Sequence, residues 1–170
     1  MKELILLRHA KSSWKDSTLE DFDRPLNKRG KTVAPQMGQL LADVGWVPQY
    51  IIASPAKRCR ATTKLLLPYF KIKSKNVQWE EMIYEAPTSA LYTVISEVPD
   101  KISSLMVIGH NPGLEMLATE LDSAFPGHLT TCAAVCIDLP ISHWRDIGPD
   151  AGKVRECLRP KEVLTRDQRT

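Results

Sequence analysis

Three short apolar runs constrain this chain most: Leu4-Ile5-Leu6-Leu7, Tyr50-Ile51-Ile52-Ala53 and Leu105-Met106-Val107-Ile108. Each is apolar throughout instead of alternating, which suits strands covered on both faces, as in a parallel sheet between helices. Each leads into a helical pattern. After the first comes a polar loop and then 30–44, with Val33, Met37, Leu40, Leu41 and Val44 at helical spacing. After the second comes 56–67, which Pro68 is expected to close, and after the third 114–121, with Pro112 at its start. Segment 88–98 reads as a further helix with Thr88 as N-cap and Pro99 as its breaker. Segments 133–139 and 153–158 read as two more strands, joined through 140–152 by a hairpin-like turn. Alternating strands and helices give an α/β protein with a mainly parallel sheet. The 170 residues are expected to form one domain, 1–159, followed by a polar C-terminal tail, 160–170.

A net charge of +3 is too small to argue for nucleic acid or an anionic membrane as partner. No run approaches the roughly 20 apolar residues of a membrane span, and 4–7 is too short for a signal-peptide core. Cys59, Cys132, Cys136 and Cys157 form no C-x-x-C pair and read as reduced, mostly buried thiols of a cytoplasmic protein. None has an arginine six residues downstream, so the loop of the cysteine phosphatases is missing, as are the glycine-rich nucleotide cradles.

What ends the three runs points to chemistry. The first ends in Arg8-His9, the second in Ser54-Pro55 with Arg58 one turn later, the third in Gly109-His110-Asn111-Pro112-Gly113. Parallel strands bring these ends to one sheet edge, where open α/β sheets bind ligands. Two arginines and two histidines suit a phosphoryl group. Guanidinium forks match its oxygens and stay charged. Nearby positive charge keeps an imidazole neutral and nucleophilic. Helix N-termini after Pro55 and Pro112 are expected to add N–H groups. With arginines to neutralise charge, the set requires no metal or cofactor.

The stretch LILLRHAKSSW resembles the RHG/RHA signature of the histidine phosphatase superfamily (phosphoglycerate mutase-like), and its alanine and KSSW resemble the SixA-like phosphohistidine phosphatase branch. DRPLNKRG at 23–30 resembles that branch's second motif, SPAKRCRATT at 54–63 the S-P-x-x-R-x-x-x-T motif, and VIGHNPG at 107–113 the second-histidine motif. The resemblance implies a three-layer α/β/α sandwich whose mainly parallel central sheet holds one antiparallel strand. It implies that His9 attacks phosphorus and becomes phosphohistidine, that Arg8, Arg58 and His110 hold the phosphoryl oxygens, and that water then releases inorganic phosphate.

Two positions depart from the family. Lys15 stands where many relatives carry an asparagine, and no trusted motif marks the carboxylate that larger relatives use as proton donor. Glu80, Glu81 and Glu85 are candidates, with Glu85 preferred. A missing acid would favour a phosphoramidate, whose nitrogen protonates readily, over an alkyl phosphate. Ser12 is a candidate phosphate ligand, Ser13 a turn cap or a second one, and Trp14 a packing residue or pocket wall. Asp23 and Arg24 are expected to organise their loop, with Arg24 near the pocket as an alternative, Lys57 and Arg60 to form a solvated helix face or add to the pocket's field, and His128 and His143 to be loop or surface residues outside the site. Asp21-x-Asp23 follows no apolar strand, so the paired-aspartate phosphatase reading is rejected. About 50 residues separate Arg58 from His110, enough for a helix, a strand, a loop and a helix but no lid, so an open pocket is expected. Such a pocket suits a phosphorylated protein. A small phosphorylated metabolite and an inert phosphate-recognition module are the alternatives.

Overall fold

The computed structural model describes residues 1–169. Strands β1 (Lys2–Arg8), β2 (Tyr50–Ala53), β3 (Val77–Trp79), β4 (Ser104–Gly109), β5 (Ala134–Leu139) and β6 (Lys153–Leu158) form one sheet in the order β3-β2-β4-β1-β5-β6. Strands β3, β2, β4 and β1 are mutually parallel, and β5 runs antiparallel to both β1 and β6. Helices α1 (Lys28–Asp43) and α2 (Lys57–Phe70) cover one face, and α3 (Thr88–Ser96) and α4 (Gly113–Leu121) the other. This is the expected three-layer α/β/α sandwich.

The apolar runs are continuous because both faces are buried. In β1, Leu4 and Leu6 face the layer containing Leu91, Ile95, Leu114 and Leu117, while Ile5 and Leu7 face Val33, Met37, Leu41 and Leu66. The chain steps outward from β1 to β2 and β3, then returns to insert β4 between β2 and β1. With right-handed crossovers, that reversal of direction moves the covering helices to the opposite face. Helices α1 and α4 therefore leave the neighbouring strands β1 and β4 on opposite sides. A crevice opens there, at the carboxyl ends of the strands.

Three local expectations change. Helix α2 runs through Pro68 and ends at Lys71, which is left-handed and donates its N–H to Leu67 O. Burying Phe70 in the core outweighs the one helical hydrogen bond that Pro68 cannot donate. Pro87, not Thr88, is the N-cap of α3, and the Thr88 hydroxyl donates to Glu120 instead. The segment marked as a polar tail starts with two helical turns, α5 (Pro160–Val163) and α6 (Arg166–Arg169), and Pro160 and Leu164 are buried, Leu164 in the core layer under α1.

Two motif glycines mark close backbone approaches. A Cβ on Gly30 would lie 2.2 Å from Lys11 O, in the loop after His9. One on Gly113 would lie 2.5 Å from Ala86 O, beside Glu85. Gly30→Ala should therefore destabilise the protein by about 1–3 kcal/mol, since backbone must shift to admit the methyl group. Gly148→Ala, which meets nothing within 4 Å, should stay within about 0.5 kcal/mol of wild type. Chemical denaturation midpoints check both.

Candidate active site

Strand register places the two histidines side by side. Arg8 pairs with Gly109 across β1 and β4, and His9 N–H donates to Gly109 O at 3.1 Å. The next residue on each strand is then an imidazole, and the His9 and His110 ring centroids lie 5.4 Å apart. On the other side of β4, Ser54 N–H donates to Ile108 O, which brings the Ser54 hydroxyl to His110. Arg58 enters from the first turn of α2 and is 3% exposed.

Hydrogen bonds settle both tautomers. His9 Nδ1 lies 2.7 Å from Ala10 O, which can only accept, so Nδ1 carries the proton and Nε2 keeps its lone pair. Arg58 Nε donates to that Nε2 at 3.4 Å. Arg58 Nη2 donates to His110 Nδ1 at 3.2 Å, so His110 carries its proton on Nε2 and donates it to Ser54 Oγ at 2.7 Å. Burial first, and then the charges of Arg58, Arg8 and Arg24, lower His9 to about 4 against an opposing bond to Ala10 O. Burial, then repulsion from His9 and Arg58, lowers His110 to about 3. Both rings are neutral at pH 7. Cys59 Sγ also lies 3.5 Å from His110 Nε2, but burial pushes its thiol up to about 12 and leaves it inert.

Arg8, His9, Ser12, Arg24, Arg58 and Glu85 line a cavity of about 250 Å³, with Lys11, Trp14, Asp21 and Thr131 completing its wall. His110 lies behind that wall, against His9 and Arg58, and is 5% exposed. Arg8 Nη1 donates to Leu129 O at 3.3 Å, while its buried Nε has no partner among the described residues. A buried unmet donor costs about 1–3 kcal/mol, which an anion in the cavity would recover. The helix N-termini expected to contribute N–H groups do not line the cavity; α2 contributes the Arg58 side chain instead.

Asp21, Tyr84 and Thr62 were not foreseen as site residues. Asp21 accepts from Arg58 Nη2 at 3.0 Å, from Arg24 Nη1 at 2.9 Å and from the Tyr84 hydroxyl, and its backbone O accepts from Arg58 Nη1 at 2.7 Å. Burial opposes its ionisation, but the bonds from Tyr84 and Arg58 hold its carboxyl well below the usual range. Glu85 shifts the other way: burial, then the bond and charge of Asp21, raise it. Its Oε1 lies 3.7 Å from Arg58 Nη2 at the pocket rim. Thr62, the last residue of the S-P-x-x-R-x-x-x-T motif, accepts from Ala10 N–H at 3.0 Å and donates to Arg58 O at 2.7 Å. It thereby ties α2 to the residue after His9.

The remaining expectations sort cleanly. Ser12 lines the cavity, but its hydroxyl is engaged by Arg24. Ser13 Oγ accepts from Lys15 N–H as a turn cap. Trp14 is a wall residue, with the Arg24 guanidinium 3.3 Å over its ring. Glu80 caps the turn at Met82 and, like Glu81, is not part of the wall. Arg60 stacks on Trp79, and His143 pairs with Asp100, both away from the cavity.

A model of the histidine phosphatase superfamily (branch 1) matches residues 4–86. A chloroplastic protein of Arabidopsis thaliana is 36% identical over 176 residues, covering 96% of this chain and 80% of its own. A candidate phosphohistidine phosphatase, SixA, of Agrobacterium tumefaciens superposes with a TM-score of 0.79 at 27% identity, covering 94% of this chain and 98% of its own. The protein histidine phosphatase SixA complexed with tungstate shares the fold, with a TM-score of 0.76 at 20% identity over 95% of this chain and 99% of its own.

The depressed imidazoles have a measurable consequence. Both folded-state values lie below the ordinary 6.5, so the unfolded chain binds more protons in acid. The stability linked to the neutral rings is complete above pH 6.5 and is lost as pH falls towards 4. An NMR titration should find both rings neutral down to pH 5. Urea midpoints should fall between about pH 7 and 4.5, and fall less in His9→Gln.

Proposed function

Because the chain belongs to the histidine phosphatase superfamily, we propose that it hydrolyses phosphohistidine on a protein, without metal, through a covalent phosphohistidine on His9. The observation that carries this reading is the His9 Nε2 lone pair, free of a proton and facing the Arg58 guanidinium at the cavity wall. Neutral imidazole attacks phosphorus as the bond to the leaving nitrogen breaks. Arg8 and Arg58 hold the equatorial oxygens, and water then cleaves the new P–N bond to release inorganic phosphate. His110, covered by His9 and Arg58, acts by holding the Arg58 guanidinium through its Nδ1, and it would touch the phosphoryl group only where substrate draws Arg58 aside. Ser12 is retained as a phosphate ligand if substrate displaces Arg24 from its hydroxyl. Four free thiols support a reducing compartment such as the cytoplasm. No helix among the described residues is long and apolar enough to cross a membrane.

One observation favours a second reading, a phosphatase for small phosphomonoesters. Glu85 stands at the cavity with a raised pKa, and a carboxyl that keeps its proton can protonate an alkoxide leaving group. Comparing phosphohistidine peptide with sugar, nucleotide and aryl phosphates separates the readings. Glu85→Gln should slow alkyl phosphate hydrolysis far more than phosphoramidate hydrolysis if Glu85 supplies the proton.

Phosphate release should vanish in His9→Ala while phosphate binding persists; turnover without His9 would refute the covalent path. An inert recognition module would show no turnover in wild type. Arg58→Ala should lower the rate by about 10²–10³, as loss of a transition-state donor does. Activity should survive a chelator, and an acid-labile phosphoryl group should be trapped on His9 by rapid quench.

A further inference from the structure

The cavity of the proposed active site adjoins a wider groove of about 580 Å³, and Lys11, Ser12 and Trp14 line both. The groove wall carries four cations, Lys11, Lys15, Lys28 and Arg29, and no carboxylate. None of the four forms an ion pair with a described side chain. The nearest acid along the loop, Asp16, is turned onto the N–H and hydroxyl of Thr18. The net charge of the whole chain is only +3, so this cluster is a local field and not part of a generally basic surface. Apolar side chains in the same loop remain open: Trp14 is 75% exposed, and Leu19 and Phe22 37% each. Exposed aromatic side chains among cations are typical of protein-recognition surfaces.

We propose that this groove docks an acidic face of the substrate protein, lying beside its phosphohistidine, with Lys15, Lys28 and Arg29 as the specificity-determining cations. The proposal rests on the phosphohistidine-protein reading above. The groove adjoins the cavity, so a protein that inserts its phosphoryl group between Arg8 and Arg58 must lay its neighbouring surface over one side of the cavity mouth. Over the groove that surface meets like charges already gathered, which an array of Asp and Glu would relieve. Such charges act mainly on encounter rate and partner choice. A free phosphoramidate, confined to the cavity, does not reach them.

The test compares wild type with Lys15→Glu/Lys28→Glu, two groove residues outside the catalytic cavity. The substrates are a histidine-phosphorylated carrier domain with Asp and Glu around the phosphohistidine, the same domain with those residues changed to Asn and Gln, and phosphoramidate. The double variant should lose about tenfold or more in kcat/KM on the acidic carrier at low salt and stay within about twofold on phosphoramidate. The preference of wild type for the acidic carrier should shrink as salt is raised from about 20 to 500 mM. An unchanged kcat/KM on the acidic carrier would overturn the docking proposal and leave the phosphohistidine reading intact. Equal losses on carrier and phosphoramidate would also overturn it, assigning the cations to the catalytic cavity. Competition by an oligonucleotide but not by the unphosphorylated acidic carrier would assign the groove to nucleic acid instead. If wild type cleaves neither carrier but releases phosphate from small esters, the underlying reading has failed and takes this proposal with it.

Discussion

A guanidinium buried to 3% exposure has to be paid for by its neighbours, and around Arg58 those neighbours form the site. Its N–H groups go to His9 Nε2, His110 Nδ1, and the carboxylate and carbonyl of Asp21. Each bond does two things. The imidazoles satisfy the cation, and the cation helps keep them unprotonated. Asp21 balances the charge, and the cation keeps Asp21 ionised. Ionised Asp21 in turn orients Arg24 and adds to the burial that raises the Glu85 carboxyl. The proposed nucleophile, anion clamp and acid thus all depend on one cation at the first turn of α2. Thr62, one turn later, fixes that turn to the backbone beside His9.

The strands and layers were legible because their cause is local. Four consecutive apolar residues can be buried on both faces only between two helical layers, and β1, β2 and β4 follow from that alone. The strand order does not, because it depends on which helix faces fit which gaps. The family resemblance implied one antiparallel strand without saying which, and the pairing of β5 with β1 and β6 identifies it as β5. A strand was counted between Arg58 and segment 88–98 but not located, because β3 is three residues long and only partly buried, so neither length nor pattern marks it. At Pro68 a local rule lost to packing: Phe70 and Leu66 belong to the core whether or not one hydrogen bond is missing.

Arg8, His9, Arg58 and His110 were legible for a related reason. Each ends a buried strand or opens the helix after it, and parallel strands leave little freedom in where such residues go. Depth was not legible: His110 shares the edge but sits behind the wall that His9 and Arg58 present. Asp21 was passed over because the aspartate pair was weighed only as the nucleophile of another phosphatase class. In the structure it is a counter-ion held by a polar turn, for which spacing carries no signal. Thr62 did have one, a motif threonine one helical turn after the arginine, with a hydroxyl able to bridge two backbones.

Asp21 and Glu85 together change how substrate choice should be viewed. Two carboxyl groups share one arginine, and their environments push their proton affinities apart. The pair therefore sets a carboxylate held well below the usual range beside a carboxyl shifted upward. An absent acid would have made nitrogen leaving groups the only easy ones. If Glu85 supplies that proton, chemistry alone does not separate phosphoramidate from phosphate ester, and selection would move outward to whatever lies over the cavity mouth. There the described residues present an exposed indole and a groove with four cations. Under the docking proposal, such a surface would select by the charge and shape around the phosphoryl group, a criterion that a protein substrate can meet and a small ester largely cannot.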